Sequence, residues 1–223
     1  MGTVVITGLS SGIGQAVRDY FVQNGWRVIG VSRHIPLEQE GYEADLSMLE
    51  SVEPLATRIG EECKPIDAFI HIAGVWHDES GVLAGKKFHE FSTKQIINTM
   101  NVGVTSAMIL SARLIPFMNQ NSKMIFISGT FQDGGANWLP YFTSKKSLEV
   151  FLKGLSEDET GNVKVIGVSP ADTATESYKK FYPEQVSQAQ SPESVAKVCF
   201  DLAIDQLPAE SGVILEVRDG RVI

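Results

Sequence analysis

Two side chains that can exchange a proton, Tyr141 and Lys145, stand four residues apart in the second half of the chain. On a helix, a step of four residues places both side chains on one face, about 6 Å apart along the axis. A phenol with a pKa of about 10 is a weak general base at neutral pH, and a neighbouring ammonium group lowers that pKa by stabilising the phenolate. Ser128, thirteen residues before Tyr141 at the end of a strand-like segment, can donate a hydrogen bond to a substrate oxygen. The three residues are suited to proton transfer at a carbonyl or carbinol group.

A glycine-rich turn near the start of the chain joins an apolar segment to a helix-like segment. Glycine permits positive φ angles and lets a phosphate approach the backbone. The N-terminus of the following helix offers free N–H groups and a partial positive charge. This context predicts a binding site for the pyrophosphate of a dinucleotide, and a tight turn with packing glycines is the alternative. The residues assigned to the site are Gly8, Ser10, Ser11, Gly12, Ile13 and Gly14.

Ser32 and Arg33 follow the second strand-like segment, where a dinucleotide fold meets the adenosine ribose. An acidic residue there would bind the ribose hydroxyls and repel a 2′-phosphate, but none occurs from Gly30 to His34. Arg33 can pair with that phosphate and Ser32 can donate to it. The segment favours NADP(H), with NAD(H) as the other possibility; a solvent-exposed arginine on a loop is the alternative interpretation.

Apolar segments rich in valine and isoleucine alternate with helix-like segments, which indicates an α/β fold with a doubly wound parallel sheet. Strands are expected at Thr3–Thr7, Arg27–Val31, Ala68–Ile72, Met124–Ser128, Val163–Val168 and Val213–Val217, with a short one at Tyr42–Ala44. Helices are expected at Ile13–Asn24, Ser47–Glu62, Thr93–Asn119, Tyr141–Glu157 and Pro192–Ile204.

Two stretches, Val75–Phe91 and Ala171–Gln190, have no clear period. Both follow the carboxyl end of a strand, where open α/β sheets bind ligands. They are candidate lids, and plain surface loops are the alternative.

The bulk properties narrow the class of protein. A chain of 223 residues suffices for one well-buried domain, here residues 1–223. A net charge of -8 without a basic block disfavours a nucleic-acid partner. Cys63 and Cys199 lack metal-ligand spacing and indicate free thiols in a reducing compartment. Because the first strand is expected from Thr3 and no apolar run approaches about 20 residues, we expect a cytoplasmic protein without a signal peptide or membrane span.

In order along nearly the whole chain, these motifs resemble those of the short-chain dehydrogenase/reductase family. Thr7–Gly14 is similar to its glycine motif, and Tyr141 with Lys145 to its Tyr-x-x-x-Lys pair. The resemblance implies a single-domain Rossmann fold of about seven strands, in the order 3-2-1-4-5-6-7. It implies catalytic roles for Asn101, Ser128, Tyr141 and Lys145, where Asn101 holds a water of a proton relay. It implies that Asp45, Leu46, Ala73, Gly74, Tyr141, Lys145, Pro170 and Thr175 bind the cofactor.

The chain departs from the family pattern at three places. His71 and Ile72 stand where the family has two asparagines before Ala-Gly, and Ile72 cannot make the asparagine's hydrogen bonds. Ala171 follows Pro170 where the family has glycine. The segment Arg33–Glu40 leaves no room for a full helix. In addition, a shift of one residue in the alignment of Ser128 would put Gly129 at the catalytic position. Gly129 has no hydroxyl, so Thr130 would then be the hydroxyl donor.

The resemblance implies an NADPH-dependent reductase of a small carbonyl compound, or the reverse alcohol dehydrogenase. Hydride then passes between the nicotinamide and carbon while Tyr141 exchanges a proton with oxygen. A non-catalytic NADP(H)-binding sensor or scaffold of the same fold is the alternative, although such proteins usually lack the tyrosine or lysine. Apolar positions such as Ile109, Phe151 and Leu155 on the two long helices suggest a homodimer or homotetramer. No metal ion is expected.

Overall fold

Segments rich in valine and isoleucine build the central sheet. Helices cover both of its faces, so these segments form the centre of the fold. The computed structural model describes residues 2–9, 12–129 and 134–223. Within these ranges, one sheet has eight strands and a separate hairpin has two. The strands are β1 Thr3–Thr7, β2 Arg27–Ser32, β3 Gly41–Glu43, β4 Ile66–His71, β5 His77–Asp78, β6 Gly81–Val82, β7 Met118–Ile127, β8 Lys164–Pro170, β9 Ile214–Arg218 and β10 Arg221–Val222.

The main sheet has the order β3-β2-β1-β4-β7-β8-β9-β10. The strands from β3 to β9 are parallel, which confirms the expected order 3-2-1-4-5-6-7. The last strand was not expected and pairs antiparallel with β9. Asp219 and Gly220 connect them with positive φ angles of 50° and 73°, the conformation that an Asp-Gly hairpin turn requires.

Helices occupy most of the segments where the sequence predicts them. Those in the described ranges are α1 Gly12–Gln23, α2 Leu49–Cys63, α3 Thr93–Met100, α4 Ser106–Leu114, α5 Leu139–Asp158, α6 Glu176–Phe181 and α7 Pro192–Ala203. Shorter 3-10 turns lie at Phe88–Glu90, Ile115–Phe117 and Pro183–Gln188.

The helix expected at Thr93–Asn119 is wrong at its end and interrupted in its middle. A π turn at Asn101–Thr105 separates α3 from α4, and β7 already begins at Met118. Pro116 lies in the final 3-10 turn, consistent with a helix that cannot continue past a proline. By length and composition the run Thr93–Phe117 could span a membrane. Ala107, Leu110 and Leu114 of this run are fully buried and pack in the core against the sheet.

The core has two layers, one on each face of the sheet. Helices α1 and α7 pack together on one face, around Val17, Phe21 and Cys199. Helices α2, α4 and α5 cover the other face, around Ala56, Leu110 and Leu148. This arrangement leaves the carboxyl ends of β1, β4, β7 and β8 together at one edge, where open α/β sheets bind ligands.

Candidate active site

The glycine turn after β1 is too crowded for side chains at two of its positions. Gly8 has a φ of +72°, and a Cβ there would lie 3.1 Å from the backbone of Ala73. A Cβ on Gly14 would lie 2.0 Å from the carbonyl oxygen of Gly8. Gly12 begins α1, and the free N–H groups at this helix N-terminus are a candidate cradle for a pyrophosphate. Ile13 is partly buried against the core, while the predicted contacts Ser10 and Ser11 lie outside the described residues.

The predicted adenosine end of the site lies at the carboxyl ends of β2 and β3. Ser32 is buried and Arg33 is exposed. Asp45 is exposed, and its Oδ1 accepts a hydrogen bond from the amide of Ser47 at 2.9 Å. Leu46 is buried in the core beside it, so it supports this end of the site by packing.

Thr7 at the end of β1 organises the turn that follows β4. Its Oγ1 accepts hydrogen bonds from the amides of Ile72 at 3.1 Å and Ala73 at 3.2 Å. Because both amides donate to this oxygen, the hydroxyl proton is left for His71 Nδ1, 3.1 Å away. Burial, assisted by the charge of Lys145, lowers the pKa of His71 to about 3, so this ring is neutral. Backbone amides and a neutral histidine thus hold the turn without the asparagine side chains of the family pattern.

The structure brings Tyr141, Lys145 and Gly74 together. Lys145 Nζ lies 5.6 Å from the centroid of the Tyr141 ring and donates a 2.7 Å hydrogen bond to the carbonyl oxygen of Ile127. A Cβ on Gly74 would lie 3.3 Å from Lys145 Nζ and 3.8 Å from Cε2 of Tyr141. Since Gly8 lies close to the preceding residue, Ala73, the catalytic candidates and the candidate nucleotide cradle are adjacent in the fold.

Burial controls the protonation of both catalytic candidates. It raises the pKa of Tyr141 to about 12, so the lowering expected from the neighbouring lysine is outweighed. It also lowers the pKa of Lys145 to about 8, against the opposing effect of Glu149. At neutral pH the tyrosine is therefore a protonated phenol, the form that can donate a proton to an oxygen.

Ser128 and Asn101, predicted to assist catalysis, are both engaged in hydrogen bonds with the protein. Ser128 is buried just past β7, and its Oγ donates to Glu149 Oε1 at 2.5 Å. The alternative donor, Thr130, lies outside the described residues. Asn101 begins the π turn, and its Nδ2 donates to the carbonyl oxygen of Ser47 at 2.9 Å. This turn packs on α5, where a Cβ on Gly103 would lie 3.2 Å from Ser144 Oγ, next to Lys145.

The segment after β8 contacts the start of α1. Pro170 ends β8, and Thr175 is the N-cap of α6, where it accepts a hydrogen bond from the amide of Tyr178. A Cβ on Gly12 would lie 3.3 Å from Cγ2 of Thr175. The sequence did not predict α6, which is short and follows the cap residue Thr175 without a clear apolar period.

An aromatic cluster joins this segment to the β5–β6 hairpin. The ring of Phe181 lies 5.8 Å from that of Trp76 and 5.3 Å from that of His77, and Tyr182 stacks on Trp76 at 6.5 Å. Burial lowers the pKa of His77, and the positive charges of Lys180 and Arg33 lower it further, so cations lie around this cluster.

Sequence reasoning missed Glu149, and it placed the members of this cluster in the two candidate lids without predicting that they contact each other. Glu149 could have been found, because it follows Lys145 by one further step of four residues. The cluster could not, since its members come from two stretches without a regular period.

The chain resembles proteins of known class. The family model described as short chain dehydrogenase matches residues 2–186. A curated relative, an NADPH-dependent pterin aldehyde reductase from Arabidopsis thaliana, is 25% identical over 96% of this chain and 93% of that protein.

Solved structures share the fold. A short chain dehydrogenase from Shigella flexneri complexed with NADP has a TM-score of 0.84 at 21% identity, covering 96% of both chains. A 3-ketoacyl-(acyl-carrier-protein) reductase from Brucella melitensis complexed with NADH has a TM-score of 0.82 at 20% identity, covering 100% of this chain and 98% of that one.

Proposed function

This chain belongs to the short-chain dehydrogenase family, and we propose that it is an NADP(H)-dependent oxidoreductase that reduces a carbonyl group or oxidises the corresponding alcohol. One observation carries the proposal: Ala73 touches the glycine turn while Gly74 touches the Tyr141–Lys145 pair. This proximity supports proton transfer by the pair beside a bound dinucleotide.

In the proposed reaction Tyr141 is the general acid of reduction and the general base of oxidation. Its phenol donates a proton to the carbonyl oxygen of the substrate, and Lys145 supplies a positive charge that stabilises the phenolate left behind. Asn101 holds a water that returns a proton towards Lys145. Bound NADPH supplies the hydride.

We propose that the chain prefers NADPH to NADH. Arg33 is exposed at the end of β2, beside the buried Ser32, and no acidic residue lies between Gly30 and His34. An arginine there can hold a phosphate by charge-assisted hydrogen bonds. The Arabidopsis relative is NADPH-dependent by name. Because structural neighbours bind NADP or NADH, the preference must come from such local residues.

We propose that the substrate is a compact aldehyde or ketone with a planar ring. The rings of Trp76, Phe181 and Tyr182 meet where the β5–β6 hairpin contacts the end of α6. Trp76 lies two residues after Gly74 in the chain. Aromatic rings favour offset or edge contacts with other rings, worth about 0.5–1.5 kcal/mol per pair. The Arabidopsis relative is named for a pterin aldehyde. A screen with NADPH of aromatic and aliphatic aldehydes, ketones, quinones and sugars tests this substrate class.

We also propose that residues 1–223 act as one nucleotide-binding domain in the cytoplasm, as a homodimer or homotetramer. The main sheet takes its first strand at Thr3–Thr7 and its last at Arg221–Val222, which supports a single domain.

The substitution Tyr141→Phe tests the proposed function. It deletes one oxygen and retains the ring, so we expect the fold and NADPH binding to survive while turnover falls at least 10²–10⁴-fold, about the worth of a positioned acid. Steady-state kinetics measure turnover, and NADPH fluorescence titration measures binding. Near-normal turnover of the variant on a good substrate would contradict the mechanism. Binding of NADPH without turnover of any carbonyl by the wild-type protein would favour a sensor or scaffold.

Paired variants identify the hydroxyl donor. In the structure Ser128 donates its hydroxyl hydrogen bond to Glu149, so Ser128→Ala and Thr130→Ala are compared in the same assay. A large loss of kcat for Ser128→Ala alone assigns the role to Ser128, whereas a large loss for Thr130→Ala alone assigns it to Thr130.

A further inference from the structure

A carboxylate lies on the same face of α5 as the catalytic candidates. Tyr141, Lys145 and Glu149 follow one another at steps of four residues, and the side chain of Glu149 is only 12% exposed. Its Oε1 accepts the hydrogen bond from Ser128 Oγ, and its Oε2 accepts one from Lys146 Nζ at 2.9 Å. Glu149 therefore connects the end of β7 to the middle of α5.

This carboxylate is also the source of negative charge for a buried lysine. The hydrogen-bond partner of Lys145 Nζ, the carbonyl oxygen of Ile127, carries no net charge. Glu149 stabilises the charged form of Lys145. A buried ammonium without a nearby negative charge loses its proton readily, because desolvation penalises the charged form.

The other titratable groups around Lys145 do not supply that charge. Tyr141, on the neighbouring turn of α5, is protonated because burial raises its pKa to about 12. His71 on β4 is neutral, with a pKa of about 3. Lys146 is a cation on the outer side of Glu149 and partly cancels its charge. Within the described ranges, Glu149 is the acidic group that acts on Lys145.

We propose that Glu149 is a positioning residue, which fixes the catalytic turn of α5 against β7 through Ser128 and holds a negative charge beside the Lys145 ammonium. It touches neither the substrate nor the reacting atoms, and it acts through its two neighbours. The inference rests on the proposed function for its kinetic consequences only, since the titration of Lys145 is a property of the protein itself.

The substitution Glu149→Gln tests the role of the charge, since it keeps the size of the side chain and an oxygen that can accept from Ser128. Removing the negative charge disfavours the ammonium, so the pKa of Lys145 falls, by about one unit or more. Titration of the Cε resonance of Lys145 in protein labelled with ¹³C-lysine measures this shift. In reduction, the descending limb of kcat/KM moves to lower pH by the same amount, while kcat well below that limb stays close to wild type.

Matched variants separate charge from anchoring. Glu157→Gln removes an exposed carboxylate from the same helix and leaves both the titration and the pH profile unchanged. Glu149→Asp keeps the charge but is one methylene too short to hold Ser128, so it keeps the Lys145 titration and lowers kcat at every pH. Lys146→Met removes the opposing cation and moves the pKa of Lys145 upwards.

Superimposable Lys145 titrations for wild type, Glu149→Gln and Glu157→Gln would overturn the proposal. Circular dichroism verifies folding, and if Glu149→Gln does not fold, the absence of an upward shift in Lys146→Met overturns it instead. A wild-type protein that turns over no carbonyl would refute the proposed function and leave the titration to decide the role of Glu149.

Discussion

At the scale of single residues, burial decides which protonation states are available for chemistry. It raises the pKa of Tyr141 and lowers that of Lys145, and both shifts favour the neutral form of the side chain. A protonated phenol beside a lysine whose pKa burial lowers to about 8 suits reduction at or below neutral pH. As the pH rises through that value, the lysine loses its charge and reduction slows.

The cofactor preference also belongs to a single residue. Replacing Arg33 with alanine is expected to weaken NADPH binding about ten- to a hundred-fold, because a charge-assisted phosphate contact is worth about 1.5–3 kcal/mol. NADH binding should change little, since it has no 2′-phosphate. Fluorescence titration with both cofactors measures the effect, and Arg221→Ala on the exposed strand β10 is the control. Equal losses for both cofactors, or a wild type that prefers NADH, would show that Arg33 does not recognise the phosphate.

At the scale of elements, short irregular segments complete a site that the long helices and strands only frame. The π turn at Asn101–Thr105 inserts extra backbone between α3 and α4 and brings Gly103 against Ser144. Helix α6 places Thr175 against the glycine turn. Single-turn π segments are frequent at functional sites, and here the segment supports the helix that bears Tyr141 and Lys145.

The contact between α6 and the β5–β6 hairpin can be tested through Phe181. Its ring meets those of Trp76 and His77, and each aromatic pair is worth about 0.5–1.5 kcal/mol. Phe181→Ala removes both contacts, so we expect KM for the carbonyl substrate to rise by at most roughly 100-fold, with a smaller effect on NADPH binding. Phe88→Ala, at an exposed aromatic in the loop before α3, is the matched control. If both variants have the same KM as wild type, the aromatic contact does not contribute to substrate binding.

At the scale of the whole molecule, the parallel order of the sheet collects the functional residues at one edge. Thr7, His71 and Pro170 end β1, β4 and β8, and Ser128 follows β7 directly. The face of α4 and α5 leaves some apolar side chains exposed and buries others. On the face of α4 and α5, Met108 is 45% and Val150 is 72% exposed, whereas Ile109, Phe151 and Leu155 are partly buried against the core. The apolar side chains available to a partner subunit are therefore Met108 and Val150, which adjoin Ile109 and Phe151 that the sequence suggested.

A proposed dimer through α4 and α5 can be tested with one charge. Val150→Glu places a carboxylate on the exposed apolar face of α5 and is expected to shift the protein from a dimer or tetramer towards a monomer of 24.4 kDa. Light scattering at micromolar concentration measures the mass. Val22→Glu introduces the same charge at a 52% exposed valine on α1, across the sheet, and should leave the mass unchanged. A wild-type monomer would refute the assembly.

The amino-acid sequence by itself determined the features that depend on local pattern. The alternation of apolar strands and helices, the glycine turn and the spacing of Tyr141 and Lys145 are written in neighbouring residues. Strand positions were correct to within a few residues, except that β7 starts six residues before the predicted Met124. The missed strand β10 had a local signal, the Asp219–Gly220 turn, and so could have been predicted.

Only the tertiary structure decided the features that depend on contacts between distant segments. The Ser128–Glu149 hydrogen bond, the cover that Thr175 makes over Gly12 and the aromatic cluster each join segments separated along the chain. The pKa of Tyr141 belongs to this group as well: its neighbour in sequence, Lys145, predicted a lowering, but burial is a sum over the whole fold and raised it. Periodicity reports which face of an element is apolar, whereas desolvation and the pairing of polar groups depend on what packs against that face.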